Sequence, residues 1–121
     1  KETAADELLI VCQIESPQAV DNIPAIAAVE GVDVLFIGPH DLSGSVGQLG
    51  NFKHPDVAPL IARAEESIKK AGKPMGTVPH PGVRWSEMFE RGYHMINAGS
   101  DVGRLRDGAL ADVKEFRAKY G

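Results

Sequence analysis

The chain has 121 residues, 43% of them hydrophobic and 25% charged, with a formal charge of −4. That composition suits a globular protein with one modest core, and the negative balance gives no general attraction to nucleic acid or to an anionic membrane surface. No apolar run approaches the roughly 20 residues a bilayer crossing needs, and no amino-terminal stretch has a signal-peptide layout, so a cytoplasmic location is expected.

Four strand-like apolar runs alternate with helical patterns, which predicts repeated βα units around a parallel sheet. The chain has about half of the ~250 residues of a closed eight-stranded α/β barrel. The first strand is predicted over Leu8 to Glu15, and Cys12 inside it reads as a small core residue rather than a nucleophile. Ser16-Pro17 supplies an N-cap followed by proline at the first helical position, for a short helix towards Asn22. Pro24 interrupts that helix, and a further turn ends near Gly31. The second strand is predicted over Val32 to Gly38.

Gly38-Pro39-His40-Asp41 then reads as a sharp turn, followed by a glycine-rich stretch from Gly44 to Asn51. No Gly-Lys-Ser/Thr follows, so a structural loop is expected rather than a phosphate cradle. A helix starts near His54-Pro55-Asp56, with Val57, Leu60, Ile61, Ala64 and Ile68 on its buried stripe. Arg63, Glu65, Glu66, Lys69 and Lys70 are assigned to its other faces, Pro59 must fall in the first turn, and Gly72 is the stop. Pro74 to Val78 forms the third strand, Pro79 to Gly82 a tip loop, and Val83 to Arg91 a helix. Tyr93 to Gly99 forms the fourth strand. A last helix from Arg104 to Tyr120 carries Leu105, Ala109, Val113, Phe116 and Tyr120 on one stripe, expected to pack on the barrel or on a neighbouring subunit.

Two carboxylates stand at the ends of the first two strands: Glu15 closes one apolar run and Asp41 follows the next. In a parallel sheet buried on both faces, strand tips are where polar side chains from neighbouring strands converge on one ion. Side chains alternate along a strand, so Gln13 points the same way as Glu15. Two carboxylates leave most of an octahedral shell to water and substrate, which suits Mg²⁺ or Mn²⁺. Zinc is disfavoured, because no cysteine pair or paired-histidine motif is present. An open hard cation suits a 2-oxo acid, whose ketone and carboxylate oxygens chelate together. Gly38 allows close approach, and the His40 and Asp41 amides are candidate donors to the substrate carboxylate.

These features resemble the HpcH/HpaI family of metal-dependent class II pyruvate aldolases, in the phosphoenolpyruvate/pyruvate superfamily of (β/α)8 barrels. The resemblance rests on Gln13-Ile14-Glu15-Ser16, on Ala27 to Asp33 leading into Phe36-Ile37-Gly38-Pro39-His40-Asp41-Leu42-Ser43, on Ala71-Gly72-Lys73-Pro74 and on Ala98-Gly99-Ser100-Asp101. It implies that residues 1–121 are a single partial barrel domain, the carboxy-terminal half with strands five to eight. It implies Glu15 and Asp41 as metal ligands and catalytic residues, for Mg²⁺ or Mn²⁺ with Co²⁺ as a third option. Gln13, Gly38, Pro39, His40 and Asp41 would be substrate-binding. The reaction implied is cleavage of a 4-hydroxy-2-oxo acid to pyruvate and an aldehyde through a metal-stabilised pyruvate enolate. The family usually has a small residue in place of His40, which implies a narrowed pocket or a contact with the aldehyde portion.

The resemblance also places a substrate-binding arginine and the histidine and aspartate that assist proton transfer in the amino-terminal half of the barrel. His54, His80 and His94 are therefore assigned structural roles, and Arg84, Arg104 and Arg106 are read as helix decoration. The partners implied are small 2-oxo acid and aldehyde substrates, an amino-terminal half-barrel or self-association to close the sheet, and a homo-oligomer of up to six subunits exchanging a terminal helix. The competing readings are an oxaloacetate decarboxylase-like enolate enzyme and a non-catalytic half-barrel assembly module.

Overall fold

The computed structural model describes residues 7–80 and 83–121. Among them, β1 (Val11–Ile14), β2 (Val34–Ile37), β3 (Met75–Thr77) and β4 (Met95–Ile96) form one sheet in sequential order, with every neighbouring pair parallel. The strands are joined through α1 (Pro17–Asp21) and α2 (Ile23–Ala27), α3 (Pro39–Ser45) and α4 (Ala58–Lys70), and α5 (Trp85–Glu90). The chain ends in α6 (Asp101–Tyr120). Sequential strand order is the winding of barrels; an open doubly wound sheet reverses direction at its centre.

The register sorts the side chains by face. Gln13, Phe36, Gly76 and Met95 form one row across all four strands. Gly76 is required there: a Cβ on it would lie 2.5 Å from Phe36 Cδ2, so the phenyl ring occupies the space a side chain would need. A shallow hollow of about 230 Å³ on this face is lined by Val11, Gln13, Phe36 and Met95. On the opposite face, Ile14, Leu35, Ile37 and Met75 pack with Val20, Ile23, Ala64 and Ile68 from the helices. Burial of each large aliphatic side chain contributes about 1.5–3 kcal/mol, an upper figure because the unfolded chain is itself partly compact.

The elements depart from expectation in instructive places. Leu8, Leu9 and Ile10 are exposed and precede β1, so the first strand is shorter than its apolar run. The turn predicted after Gly38 is the start of α3, with Pro39 pre-set at the first helical position and Leu42 fully buried. Ser43, also fully buried, donates to the His40 carbonyl at 2.7 Å and accepts from the Gly50 amide at 3.0 Å, stapling the glycine-rich stretch back onto α3. α4 begins at Ala58 rather than near His54, with Pro59 in its first turn, and the glycine stop is real: Gly72 has φ +69°. Tyr93 and His94 precede β4. Pro81 and Gly82 of the predicted tip loop lie outside the described residues.

One expectation fails, and one of the two alternatives for α6 falls away. Glu65, assigned to a solvated face of α4, is buried. It follows Ile61 by four residues and precedes Ile68 by three, a spacing that puts it on the inward stripe. α6 starts earlier than expected, at Asp101, where the Ser100 hydroxyl accepts from the Gly103 amide at 3.0 Å. No α6 residue is buried, so its apolar stripe does not pack on the sheet of this chain.

Candidate metal and substrate site

Glu15 and Gly38 meet at the carboxyl ends of β1 and β2, with Asp41 one helical turn further on in α3. The Gly38 amide donates to the Ile14 carbonyl at 3.2 Å, which carries the β1–β2 ladder one step beyond β2. That pairing lays Glu15 on Gly38: a Cβ at position 38 would stand 2.9 Å from both Glu15 Cγ and Oε1. Glycine is needed here for space, since its φ of −93° is open to any residue. Pro39 is buried, His40 and Asp41 are exposed, and Asp41 stands in the first turn of α3. Gln13 is exposed on the same strand face, in register with Phe36.

The structure therefore brings Glu15 onto the backbone at Gly38, three residues before Asp41. Neither carboxylate has a hydrogen-bond or ion-pair partner among the described residues. Among those residues no three His, Cys, Asp or Glu side chains come together, so a cation at this end would take at most two such ligands from the described residues. An all-oxygen donor set that small suits a hard cation completed by water and substrate, and does not suit a closed structural zinc site.

The loops above the tips are tied together by rings. His40 meets Phe52 edge-on with centroids 4.9 Å apart, and Phe52 lies against His80 at 4.4 Å. Phe52 and His80 also line a hollow of about 400 Å³ with Lys53, Ile61, Val83 and Arg91; neither Glu15 nor Asp41 borders it. His54 Nδ1 accepts from the Asp56 amide at 3.2 Å, and His94 Nδ1 from the Met75 amide at 3.3 Å, so both stabilise local backbone. Arg84, Arg104 and Arg106 are exposed, and Arg106 pairs with neighbouring Asp107.

Sequence reasoning missed a polar cluster behind the sheet. Buried Glu65 accepts from Arg91 and, at 2.6 Å, from the Tyr93 hydroxyl. Burial, and then the Glu65 carboxylate, push the Tyr93 phenol far above its ordinary value, so it stays a proton donor. Burial works against the Arg91 charge, but the hydrogen bond it donates to Glu65, together with the nearby negative groups, outweighs burial, and the guanidinium is held more firmly protonated than usual. Thr77, 2% exposed, donates to the Ile37 carbonyl at 3.0 Å. The one local signal for this cluster was Glu65 itself, a carboxylate in the apolar phase of α4.

The HpcH/HpaI aldolase/citrate lyase family profile matches residues 2–108. The chain is 43% identical over 108 residues to the 5-keto-4-deoxy-D-glucarate aldolase of Salmonella arizonae, covering 88% of this chain and 42% of that one. It superposes with a TM-score of 0.87 and 36% identity on a family protein from Burkholderia cenocepacia, over 95% of this chain and 45% of that one. The HpcH/HpaI aldolase of Desulfitobacterium hafniense aligns with a TM-score of 0.82 and 32% identity, over 97% and 46% of the two chains. The chain thus spans under half the length of these relatives. With the profile covering most of its length and the sheet superposing on two solved relatives, the chain belongs to the HpcH/HpaI aldolase/citrate lyase family.

Proposed function

We propose that this chain is the metal-binding, carboxy-terminal half of a (β/α)8 barrel aldolase, and that Glu15 and Asp41 hold one divalent cation, Mg²⁺ or Mn²⁺. The observation that carries the reading is the Glu15 carboxylate resting on Gly38, at the head of the turn that leads to Asp41, with neither acid engaged by another described residue. When bound, the cation supplies Lewis acidity that polarises a 2-oxo group and stabilises the enolate left by aldol cleavage.

The chain's own residues bind and orient. Gly38 leaves room for the Glu15 side chain beside the substrate site, and buried Pro39 fixes the entry to α3. The His40 and Asp41 amides fall in the first turn of α3, where N–H groups have no acceptor within the helix, and they receive the substrate carboxylate. Gln13 contacts the substrate from the exposed strand row. His40, braced by Phe52, borders the aldehyde portion and narrows the choice of aldehyde.

The substrate class is a 4-hydroxy-2-oxo acid, cleaved to pyruvate and an aldehyde; the aldolase name of the Salmonella relative supports the reaction type. The groups that move protons belong to an amino-terminal half-barrel, which also covers the β1 and β4 edges. The exposed α6 stripe joins subunits of a homo-oligomer, and the protein works in the cytoplasm.

The test is pyruvate release from a 4-hydroxy-2-oxo acid by the intact protein. Activity should vanish with a chelator, return with Mg²⁺ or Mn²⁺, and fall by about 10²–10³-fold in Glu15→Gln and in Asp41→Asn. Preferential consumption of oxaloacetate would assign a decarboxylase instead. Metal binding by Glu15 without turnover of either substrate would assign an assembly module.

A further inference from the structure

We propose that Thr77 is a positioning residue for the Gly38–Asp41 turn, its hydroxyl fixing the last carbonyl of β2 so that Glu15 and Asp41 keep their places at the strand tips. The role in metal binding rests on the assignment of those two carboxylates as ligands; the role in holding the turn does not.

One peptide plane links the two strand tips. Between Ile37 and Gly38, the amide N–H donates to Ile14 of β1 at 3.2 Å, while the carbonyl accepts from the Thr77 hydroxyl of β3 at 3.0 Å. The plane is thus held from both neighbouring strands. The next carbonyl, of Gly38, accepts from the Leu42 amide at 2.9 Å and opens α3. Rotation of the 37–38 plane would therefore move the glycine under Glu15 and tilt the first turn that carries Asp41.

Thr77 is itself well held. It pairs with Ile37 in the parallel register, is 2% exposed, and has Val78 O at 3.5 Å as a poorer second acceptor. The phenol of Tyr93 lies against it, and that phenol is fixed by its 2.6 Å bond to Glu65. A buried hydroxyl at the tip of β3, backed by a buried carboxylate and aimed at the neighbouring strand's final carbonyl, does more than fill space. Valine has nearly the same shape and would fill that space without the bond.

Hydrogen exchange read by mass spectrometry on the intact protein tests this with Thr77→Val and Thr77→Ser. In the valine variant, exchange in the segment spanning Gly38 to Leu42 should speed up by about 3–10-fold, with α4 unchanged, and Mn²⁺ affinity should fall by a similar factor. Serine should restore both. Unchanged exchange in that segment, acceleration spread evenly over α4, or a serine variant behaving like valine would each overturn the proposal. If wild type and Glu15→Gln bind Mn²⁺ equally, the metal assignment fails, and the exchange comparison still decides what Thr77 does.

Discussion

α4 and α6 both carry an apolar stripe, yet they meet opposite fates. In α4 the stripe lies against the sheet and the first helices, with Ala64 and Ile68 fully buried. In α6, Leu105 is 77% exposed and Phe116 64%, and no residue of its 20 is buried. The difference teaches that periodicity states only that a helix face needs a cover. α4 finds its cover in the sheet and in α1 and α2, whereas α6 finds none among the described residues.

Core truncation in the first region should have the largest effect. Ile68→Ala should lower unfolding free energy by about 2–5 kcal/mol, measured by denaturant titration. Tyr93→Phe comes next, at about 1.5–3 kcal/mol, because it removes a hydrogen bond to the buried Glu65 carboxylate. That effect has a pH signature. The folded-state pKa of Tyr93 is raised above 10.0, so its contribution is complete below that pH. Above it the unfolded chain ionises first, and the wild-type advantage over Tyr93→Phe shrinks as pH climbs towards the folded-state value. An advantage that held constant to strongly alkaline pH would contradict the network.

Leu105→Ala or Phe116→Ala should have the smallest effect on folding, within about 0.5 kcal/mol, if α6 stands uncovered. The same changes should shift the sedimentation profile towards smaller species if the stripe joins subunits. A cost to folding as large as that of Ile68→Ala, with no change in sedimentation, would place α6 against the body of its own chain and break the contrast.

The parts legible in the sequence are those fixed by neighbouring residues. The apolar runs of β1 and β2, the stripe of α4 and its glycine stop are local patterns, and Glu15 and Asp41 were visible as acids at strand ends. α3 was not, because proline and glycine flank it and its helical state depends on burying Leu42 and Ser43 in the tertiary core. Nor could any local pattern reveal that Glu65 meets Tyr93 28 residues later, or that Thr77 reaches back 40 residues to Ile37. The second pairing is created by the parallel register, which joins strand tips that the crossover helices keep far apart in sequence, and the first by α4 packing over the sheet.

Titration of Mn²⁺, followed by calorimetry and by the loss of free-ion paramagnetic signal, tests the common ion most directly when wild type is compared with Glu15→Gln, Asp41→Asn and the double variant. A shared site predicts that each single change weakens binding by about 10–100-fold or more and that the double variant is little worse than either single. Wild-type protein that binds no Mn²⁺, or single variants that bind it as tightly as wild type, would contradict the account.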